Sequence, residues 1–218
     1  MSKKKIAIIG SGFGGLSSAL YLSKYFKEIH VYEKNNFAGG KANFINENGF
    51  RFDKGPSLLT MPFVIEDVFK NVNENFEDYL RIKKLDVYCK YFWRDGVTIN
   101  AYSDLNKFES ELRKISSADS SNVKKFLKYA QTIYDLTAEI FLFKSFSEIK
   151  TFLNLKSLKT LFNIWKIDPF RTMHQSISSY FTNKKIIQLF DRYATYNGSN
   201  PYKAPATLNI IPHVEYNI

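Results

Sequence analysis

The sequence contains a single cysteine, Cys89, among its 218 residues. One thiol excludes an internal disulfide and any metal site built from several cysteines. The sequence also lacks the run of about 18 apolar residues that a membrane-spanning helix requires. Its basic start, residues 1–5, leads into only four apolar residues, 6–9, which is too short for the core of a signal peptide. These absences predict a cytosolic protein that does not cross a bilayer and holds no metal.

The formal net charge of +10 is unevenly distributed. Residues 1–60 carry +5, residues 61–150 carry 0 and residues 151–218 carry +5. An AT-rich genome would also produce this abundance of Lys, Asn, Ile, Phe and Tyr without selection for charge. Because no zinc-finger spacing or RNA-recognition signature accompanies the charge, we expect no nucleic-acid partner.

Glycine is scarce, with 10 residues, yet three glycines form the pattern G-x-G-x-x-G at Gly10, Gly12 and Gly15. The apolar run 6–9 before them is typical of a strand buried on both faces of a parallel sheet. Gly10 would permit the tight turn, Gly12 the approach of a pyrophosphate, and Gly15 the close packing of the next helix on the strand. The phosphates would lie at the N-terminus of that helix.

A second strand is predicted at residues 29–32, and it ends at Glu33, 18 residues after Gly15. An acidic residue about 20 positions after the glycines binds a ribose hydroxyl in dinucleotide-binding domains, and its charge disfavours a 2′-phosphate. This arrangement does not separate NAD from FAD. Phe26 occupies the position where a glycine often ends the first helix, so we expect no left-handed cap there. His30 is expected to pack in or beside its strand rather than bind a metal.

Two stretches carry a family resemblance: YEKNNFAGGKANFINENGFRFDKGPSLLTMP at residues 32–62 and YATYNGSNPYKAPATLNIIPHVE at residues 193–215. They resemble the bacterial-type phytoene desaturases, or carotenoid desaturases, of the FAD-dependent amine-oxidase-like superfamily. Residues 55–62 and 204–215 are the most specific part, and the resemblance is weak between residues 65 and 185. Lys41 departs from the pattern, because arginine is more usual there.

The resemblance implies an α/β fold, in which a Rossmann-like FAD-binding domain is interrupted by a helix-rich α+β substrate domain. Its expected segments are 1–62 for FAD, 63–195 for the substrate, and 196–218 as the start of a truncated return to the FAD domain. No catalytic residue is predicted. The candidate cofactor-binding residues are Gly10, Ser11, Gly12, Phe13, Gly14, Gly15, Glu33, Lys34, Gly40, Lys41, Gly55, Pro56 and Ser57.

The chemistry of the loops agrees with this expectation. Gly39 and Gly40 tolerate positive φ and could bring backbone amides against phosphate oxygens, while Lys41 adds a cation. Gly-Pro-Ser at residues 55–57 could lie against a flat ring, although without the resemblance an ordinary surface turn would be favoured.

The implied reaction is FAD-dependent desaturation of a linear C40 polyene such as phytoene. Two alternatives stay open: another carotenoid or retinoid flavoenzyme (isomerase, oxygenase or saturase), or a non-catalytic dinucleotide-binding fragment at a membrane. Members of the family are considerably longer, so we expect the 218-residue chain to be truncated, inactive alone and weak in binding FAD. The sequence predicts neither the particular carotenoid nor the oligomeric state.

Local patterns predict the remaining elements. A hairpin is expected from residues 42–46 and 49–53 around 47–48, and a helix at 62–72. Strands are expected at 80–93 and 97–102, joined by the turn Arg94-Asp95-Gly96. Helices are expected over 104–192, with a boundary at Asp168-Pro169. The many aromatic residues of this region favour core packing over a substrate channel; examples are Phe126, Tyr129, Phe141, Phe143 and Phe146.

Residues 152–167, FLNLKSLKTLFNIWKI, combine an apolar arc with lysines along its flank. The arc comprises Leu155, Leu158, Leu161, Phe162 and Trp165, and Lys156, Lys159, Asn163 and Lys166 lie beside it. Such a helix could lie in a membrane interface or face the protein core, and both interpretations stay open. Because a C40 hydrocarbon is held in lipid, we expect a peripheral protein at the inner face of the cytoplasmic membrane. The three histidines, at 30, 174 and 213, are far apart, and no Ser-His-acid arrangement is expected.

Overall fold

The computed structural model describes residues 2–56, 58–143 and 163–218. The chain forms two compact units, Met1–Lys84 and Leu85–Ile218. The two units are defined by which residues pack together. The segments 1–62, 63–195 and 196–218 were predicted from function instead, and their bounds stay predictions.

The first unit begins with a β-α-β arrangement, as the glycine pattern predicts. Strand β1 spans Ser2–Ile9, helix α1 spans Phe13–Ser23, and strand β2 spans Phe26–Tyr32. The two strands are parallel, with Ile9 opposite Tyr32. Both strands start earlier than predicted, and the glycine turn lies at the carboxyl end of β1, where ligands of parallel sheets bind.

The prediction that β1 is buried on both faces is wrong for the described residues. Ile9 is 92% exposed, and Ile6 and Ile8 are only half-buried. In the described part of the chain, β1 pairs with a single strand, β2, so its other edge has no hydrogen-bonded neighbour. Helix α1 ends at Ser23, and the next residue, Lys24, is right-handed, which confirms that no left-handed cap follows the helix. His30 is exposed, and its Nε2 lies 2.9 Å from Glu28 Oε1.

The predicted hairpin is present, with its turn one residue later than expected. Strands β3, Phe44–Glu47, and β4, Phe50–Asp53, are antiparallel. Asn48 and Gly49 form the turn with φ values of 49° and 82°, as a two-residue turn of type I′ requires. Helix α2, Pro62–Asn71, confirms the helix predicted from residue 62. A 3₁₀ turn follows at Phe76–Asp78.

The second unit starts with two antiparallel strands, β5 at Val87–Phe92 and β6 at Thr98–Tyr102. Gly96, at φ 83°, closes the predicted turn between them. The strand predicted over 80–93 was too long. Val87 pairs with Tyr102, the last residue of β6, so residues 80–86 have no partner strand there.

Helices make up most of the second unit, as predicted. Asp104 caps the helix that begins at Leu105 through Oδ1, which accepts from the amides of Asn106 and Lys107 at 2.9 Å. Thr172 forms a capping box at the start of the helix that begins at Met173. The helices are α3 Leu105–Arg113, α4 Ser117–Ser120, α5 Asn122–Phe141, α6 Met173–Tyr180, α7 Lys184–Asp191 and α8 Ile210–Asn217. Short 3₁₀ turns occur at Ile164–Ile167, Arg192–Asn197 and Ala206–Asn209. Asp168 has a left-handed conformation after the first of these turns, which confirms a boundary at this point.

Aromatic side chains form much of the core of the second unit. Phe126 is fully buried and meets Phe190 edge-on with ring centres 4.7 Å apart, and Phe181 stacks on Phe190 at 4.9 Å. Packing therefore explains Phe126, as predicted, whereas Phe143 is 48% exposed. The side chain of Phe141, all of Phe146 and residues 152–162 of the predicted amphipathic helix lie outside the described residues. Within the described ranges, no helix combines the length and apolar character needed to cross a bilayer.

Candidate functional site

The first glycine loop leads into a helix N-terminus that no side chain caps. Gly10, at φ 95°, donates its amide to the Tyr32 carbonyl at 2.7 Å. Gly12 precedes α1, and no side-chain hydrogen bond caps the helix, which leaves first-turn N–H groups without a side-chain acceptor, as at an anion site. A Cβ on Gly15 would lie 1.9 Å from the Gly10 carbonyl oxygen. Gly15 is therefore required by the loop itself, more than by the strand that the sequence indicated.

Two residues hold the carboxylate of Glu33, one at each of its oxygens. Ser11 donates its amide and its hydroxyl to Oε2 at 2.8 and 3.0 Å. Asn35 donates its amide and Nδ2 to Oε1 at 3.0 and 2.7 Å. These hydrogen bonds, the one from the Ser11 amide first, lower the pKa of Glu33 to about 2. The carboxylate is thus ionised and fixed beside the glycine loop, at the end of β2.

Asn35 was not predicted as a site residue. A usable signal was present, because asparagine commonly bonds to groups two residues away in a turn that follows a strand.

A second glycine loop packs directly on the first. The Gly39 amide donates to the Ser11 carbonyl at 2.8 Å. Gly40 has a φ of 60°, and a Cβ there would lie 3.1 Å from Gly12 Cα. The predicted positive φ values are confirmed for both residues. The Gly39 amide is used by Ser11, and the predicted contact of this loop's amides with a phosphate stays a prediction for Gly40.

A third glycine extends this chain of close backbone contacts. A Cβ on Gly55 would lie 2.0 Å from the Lys41 carbonyl oxygen, so only glycine fits there. Pro56 beside it is exposed, and Ser57 lies outside the described residues. Lys34 and Lys41 are exposed, and Phe13 is 63% exposed. A Cβ added to Gly14 would meet no atom within 4 Å.

The late sequence stretch, residues 193–215, builds a buried ionic cluster in the second unit. Glu215, whose side chain is 3% exposed, accepts the Tyr193 hydroxyl at 2.6 Å and the Tyr196 hydroxyl, and it faces Arg192 at 3.4 Å. Arg192 also donates to the Tyr91 hydroxyl at 2.8 Å and lies 4.5 Å from the centre of the Tyr193 ring. Burial raises the pKa of Tyr193 well above its ordinary value. We interpret this cluster as structural: it joins α8 to β5 and to the turn at Arg192–Asn197.

The structure brings together a serine, a histidine and an acid that the sequence did not connect. His174 Nδ1 lies 2.8 Å from Asp191 Oδ2, and Ser178 Oγ lies 3.4 Å from His174 Nε2. The expectation that no such arrangement could be assembled was therefore wrong. The serine contact is longer than the 2.6–3.2 Å typical of an activated nucleophile, and Tyr202 lies against the imidazole with ring centres 4.3 Å apart. Among the described residues, no cluster of three metal-ligating side chains occurs.

Comparison with known proteins first identifies the class. A family model described as an NAD(P)-binding Rossmann-like domain matches residues 8–78. The chain also superposes, over 95% of its length and 41% of the other chain, on a putrescine oxidase redesigned in its cofactor binding, with a TM-score of 0.53 and 15% identity. An identity this low supports the fold alone. Residues 8–78 are thus a Rossmann-like dinucleotide-binding domain, in a chain whose fold is similar to that of the putrescine oxidase.

Curated relatives match nearly the whole chain. A 1-hydroxycarotenoid 3,4-desaturase of Flavobacterium sp. (strain P99-3) is 38% identical over 215 residues, which are 99% of this chain and 44% of that protein. A 4,4′-diaponeurosporene oxygenase of Staphylococcus haemolyticus is 33% identical over 99% of this chain and 43% of that protein. A phytoene desaturase of Phycomyces blakesleeanus is 32% identical over 98% of this chain and 36% of that protein. Over nearly its whole length the chain is thus 32–38% identical to two carotenoid desaturases and a diaponeurosporene oxygenase, and it spans less than half the length of these relatives.

The residues of the first unit fit part of FAD. An uncapped helix N-terminus suits a pyrophosphate, and the ionised Glu33 suits a ribose hydroxyl. The close backbone contacts at Gly15, Gly40 and Gly55 pack the loops tightly beside this helix N-terminus. The described residues thus match the adenosine diphosphate half of the dinucleotide.

Proposed function

We propose that this chain supplies the cofactor-binding start of an enzyme that removes hydrogen from a linear carotenoid precursor such as phytoene. The observation that carries the proposal is the 38% identity to a carotenoid desaturase along 99% of the chain. The three packed glycine loops and the fixed carboxylate of Glu33 support it independently, because they provide the site that such an enzyme needs for its dinucleotide.

In this proposal, the residues of the first unit bind and orient FAD. FAD, when bound, supplies the acceptor of the two electrons that leave the C–H bonds. The N-terminus of α1 binds the pyrophosphate through its backbone amides. Glu33 accepts a ribose hydroxyl, and Ser11 and Asn35 keep the Glu33 carboxylate ionised and oriented. Lys34 and Lys41 add positive charge beside the phosphates, and Gly55, Pro56 and Ser57 are the candidates for contact with the flavin ring.

The proposed enzyme works at a membrane. A C40 hydrocarbon is nearly insoluble in water, since each buried CH₂ group favours an apolar phase by about 0.8 kcal/mol. The substrate must therefore be taken from lipid. The +5 charge of residues 151–218 supports attachment to anionic headgroups at the inner face of the cytoplasmic membrane.

A carotenoid oxygenase is the second candidate, and the 33% identity to a diaponeurosporene oxygenase favours it. Product analysis separates the two. The protein encoded by the complete reading frame that contains these residues is given phytoene in liposomes, and the products are analysed by mass spectrometry.

The proposal expects products that have lost two hydrogen atoms for each new double bond, and none in a matched flavin-free preparation. Products that have gained oxygen instead would support the oxygenase. Unchanged phytoene and unchanged diaponeurosporene, with flavin fully bound, would contradict both candidates.

A further inference from the structure

A cationic cavity of about 560 Å³ lies on the second unit, and its lining contains none of the residues assigned to FAD. Its lining includes four basic side chains, one carboxylate and a tryptophan: Lys125, Lys128, Lys166, Arg171, Asp168 and Trp165. We call it the lysine pocket. Neither the family comparison nor the proposed reaction assigns a role to it.

Helix α5 provides two of the cations on one face. Lys125 and Lys128 are three residues apart and therefore neighbours on the helix surface. Both are exposed. The hydrogen-bond acceptors of their ammonium groups are neutral: Asn122 Oδ1 at 3.4 Å and Gln131 Oε1 at 3.0 Å. Their positive charges are thus not cancelled by these contacts.

The one carboxylate of the lining is already used. Asp168 accepts Arg171 Nε at 3.0 and 3.1 Å, Arg171 NH2 at 2.6 Å and the Tyr129 hydroxyl at 2.7 Å. Four cations and one carboxylate leave the lining with a formal charge of +3. Since Asp168 neutralises Arg171, the excess charge belongs to the three lysines.

Aromatic side chains stand beside this charge. Trp165, in the 3₁₀ turn Ile164–Ile167, lines the pocket and is 66% exposed. Phe170 lies five residues further along the chain, outside the lining of the pocket, and is 90% exposed. Tryptophan beside lysine is typical of protein surfaces that lie at the headgroup level of a membrane.

We propose that the lysine pocket is the site at which the protein docks on an anionic phospholipid surface. The three lysine ammonium groups receive a lipid phosphate, and Trp165 and Phe170 enter the interface beside it. A cavity of this volume holds one headgroup, whereas a nucleic-acid strand requires an extended cationic groove. The inference rests on the proposed function, because an enzyme of an insoluble polyene has to meet a bilayer.

Vesicle binding of the chain tests the proposal. Co-sedimentation is measured with vesicles of phosphatidylcholine alone and with phosphatidylglycerol added. The test variant is Lys125→Gln/Lys128→Gln, which keeps helix-forming side chains, and the matched control is Lys184→Gln/Lys203→Gln, two exposed lysines that do not line the pocket. We expect binding only with phosphatidylglycerol, weakened on the order of 10- to 30-fold in the test variant and at most a few-fold in the control.

Fluorescence provides a second measurement. Trp93 and Trp165 are the two tryptophans of the sequence, so Trp93→Phe leaves Trp165 as the reporter, with folding checked by circular dichroism. We expect a blue shift with anionic vesicles and quenching by brominated lipids. Equal loss of binding in test and control variants, or an unshifted Trp165 in bound protein, would overturn the proposal. Saturation of the pocket by inorganic phosphate without vesicles, or tighter binding to a single-stranded oligonucleotide, would also overturn it.

Activity in detergent separates this inference from the proposed function. With the protein of the complete reading frame, Lys125→Gln/Lys128→Gln should desaturate polyene in neutral detergent micelles at the unaltered rate and lose the reaction with anionic liposomes. No reaction of the unaltered protein in either system would contradict the proposed function. Equal loss in micelles and liposomes would contradict the docking role alone.

Discussion

Ser11 donates both its amide and its hydroxyl to one oxygen of Glu33, Oε2, at 2.8 and 3.0 Å. Together with the two donors of Asn35 on Oε1, they bring four donors to a carboxylate that has about four lone-pair positions. A ribose hydroxyl must therefore share or replace one of these bonds. The Ser11 hydroxyl and the Asn35 side-chain amide are the replaceable donors, because they can rotate whereas the two backbone amides are fixed.

The pKa of Glu33 should be measurable by following its carboxyl carbon in NMR. We expect a midpoint near 2 instead of the ordinary 4.5, with the Ser11 amide as the first cause. Because the folded-state value is the lower one, the stabilisation is complete above pH 4.5 and is lost as the pH falls towards 2. Ser11→Ala should raise the midpoint only in part, since the amide bond remains. A midpoint of 4.5 in the unaltered protein would show that these hydrogen bonds do not form.

Two neighbouring glycines should respond differently to alanine. Gly15→Ala places a Cβ 1.9 Å from the Gly10 carbonyl oxygen, whereas Gly14→Ala meets no atom within 4 Å. We expect Gly15→Ala to displace the loop and to lower the stability of the first unit, and Gly14→Ala to preserve both. Thermal unfolding followed by circular dichroism compares them. Equal unfolding temperatures for the two variants would contradict the described loop.

The ionic cluster around Glu215 should show strong coupling. Arg192→Met removes the cation facing a carboxylate whose side chain is 3% exposed, and the loss of one partner of a buried pair costs about 3 kcal/mol. Arg192→Met/Glu215→Gln keeps a neutral acceptor for the Tyr193 hydroxyl and should cost less than the sum of the single changes. Urea unfolding of the four proteins in a double-mutant cycle measures the coupling, which we expect at about 1–3 kcal/mol. Additive effects would mean that Arg192 and Glu215 act independently.

The 218-residue chain alone should bind FAD weakly. It spans 44% or less of the relatives compared above, and its described residues match only the adenosine diphosphate half of the cofactor. Titration of the purified chain with FAD, followed by flavin fluorescence, checks this expectation. Purification with a stoichiometric, tightly held yellow cofactor would refute it.

Local sequence signals predicted the elements whose causes lie close together along the chain. The β-α-β arrangement, the hairpins and α2 depend on glycine, proline and apolar residues within a few positions of one another. Burial was predicted less well, because it depends on distant neighbours. Ile9 belongs to an apolar run, yet it is 92% exposed in a sheet with one described partner strand.

The site shows the same division. The importance of Gly10, Gly15 and Glu33 followed from their spacing, but the contact of the Gly39 amide with Ser11 did not. The pairing of His174 with Asp191 requires α6 and α7 to pack together, which spacing alone does not reveal. Asn35 was within reach of local reasoning, since it lies two residues after Glu33.

The central claim is that the loop at Gly10–Gly15 and the carboxylate of Glu33 bind FAD. The most direct test is the flavin content of the protein of the complete reading frame, purified unaltered and as Gly12→Val and Glu33→Ala. A Cβ at Gly12 meets only Gly40 Cα, at 3.9 Å, so the chain should fold while the branched side chain fills the pyrophosphate position. We predict no FAD in Gly12→Val and weakened binding in Glu33→Ala. Normal flavin content in a folded Gly12→Val protein would contradict the account.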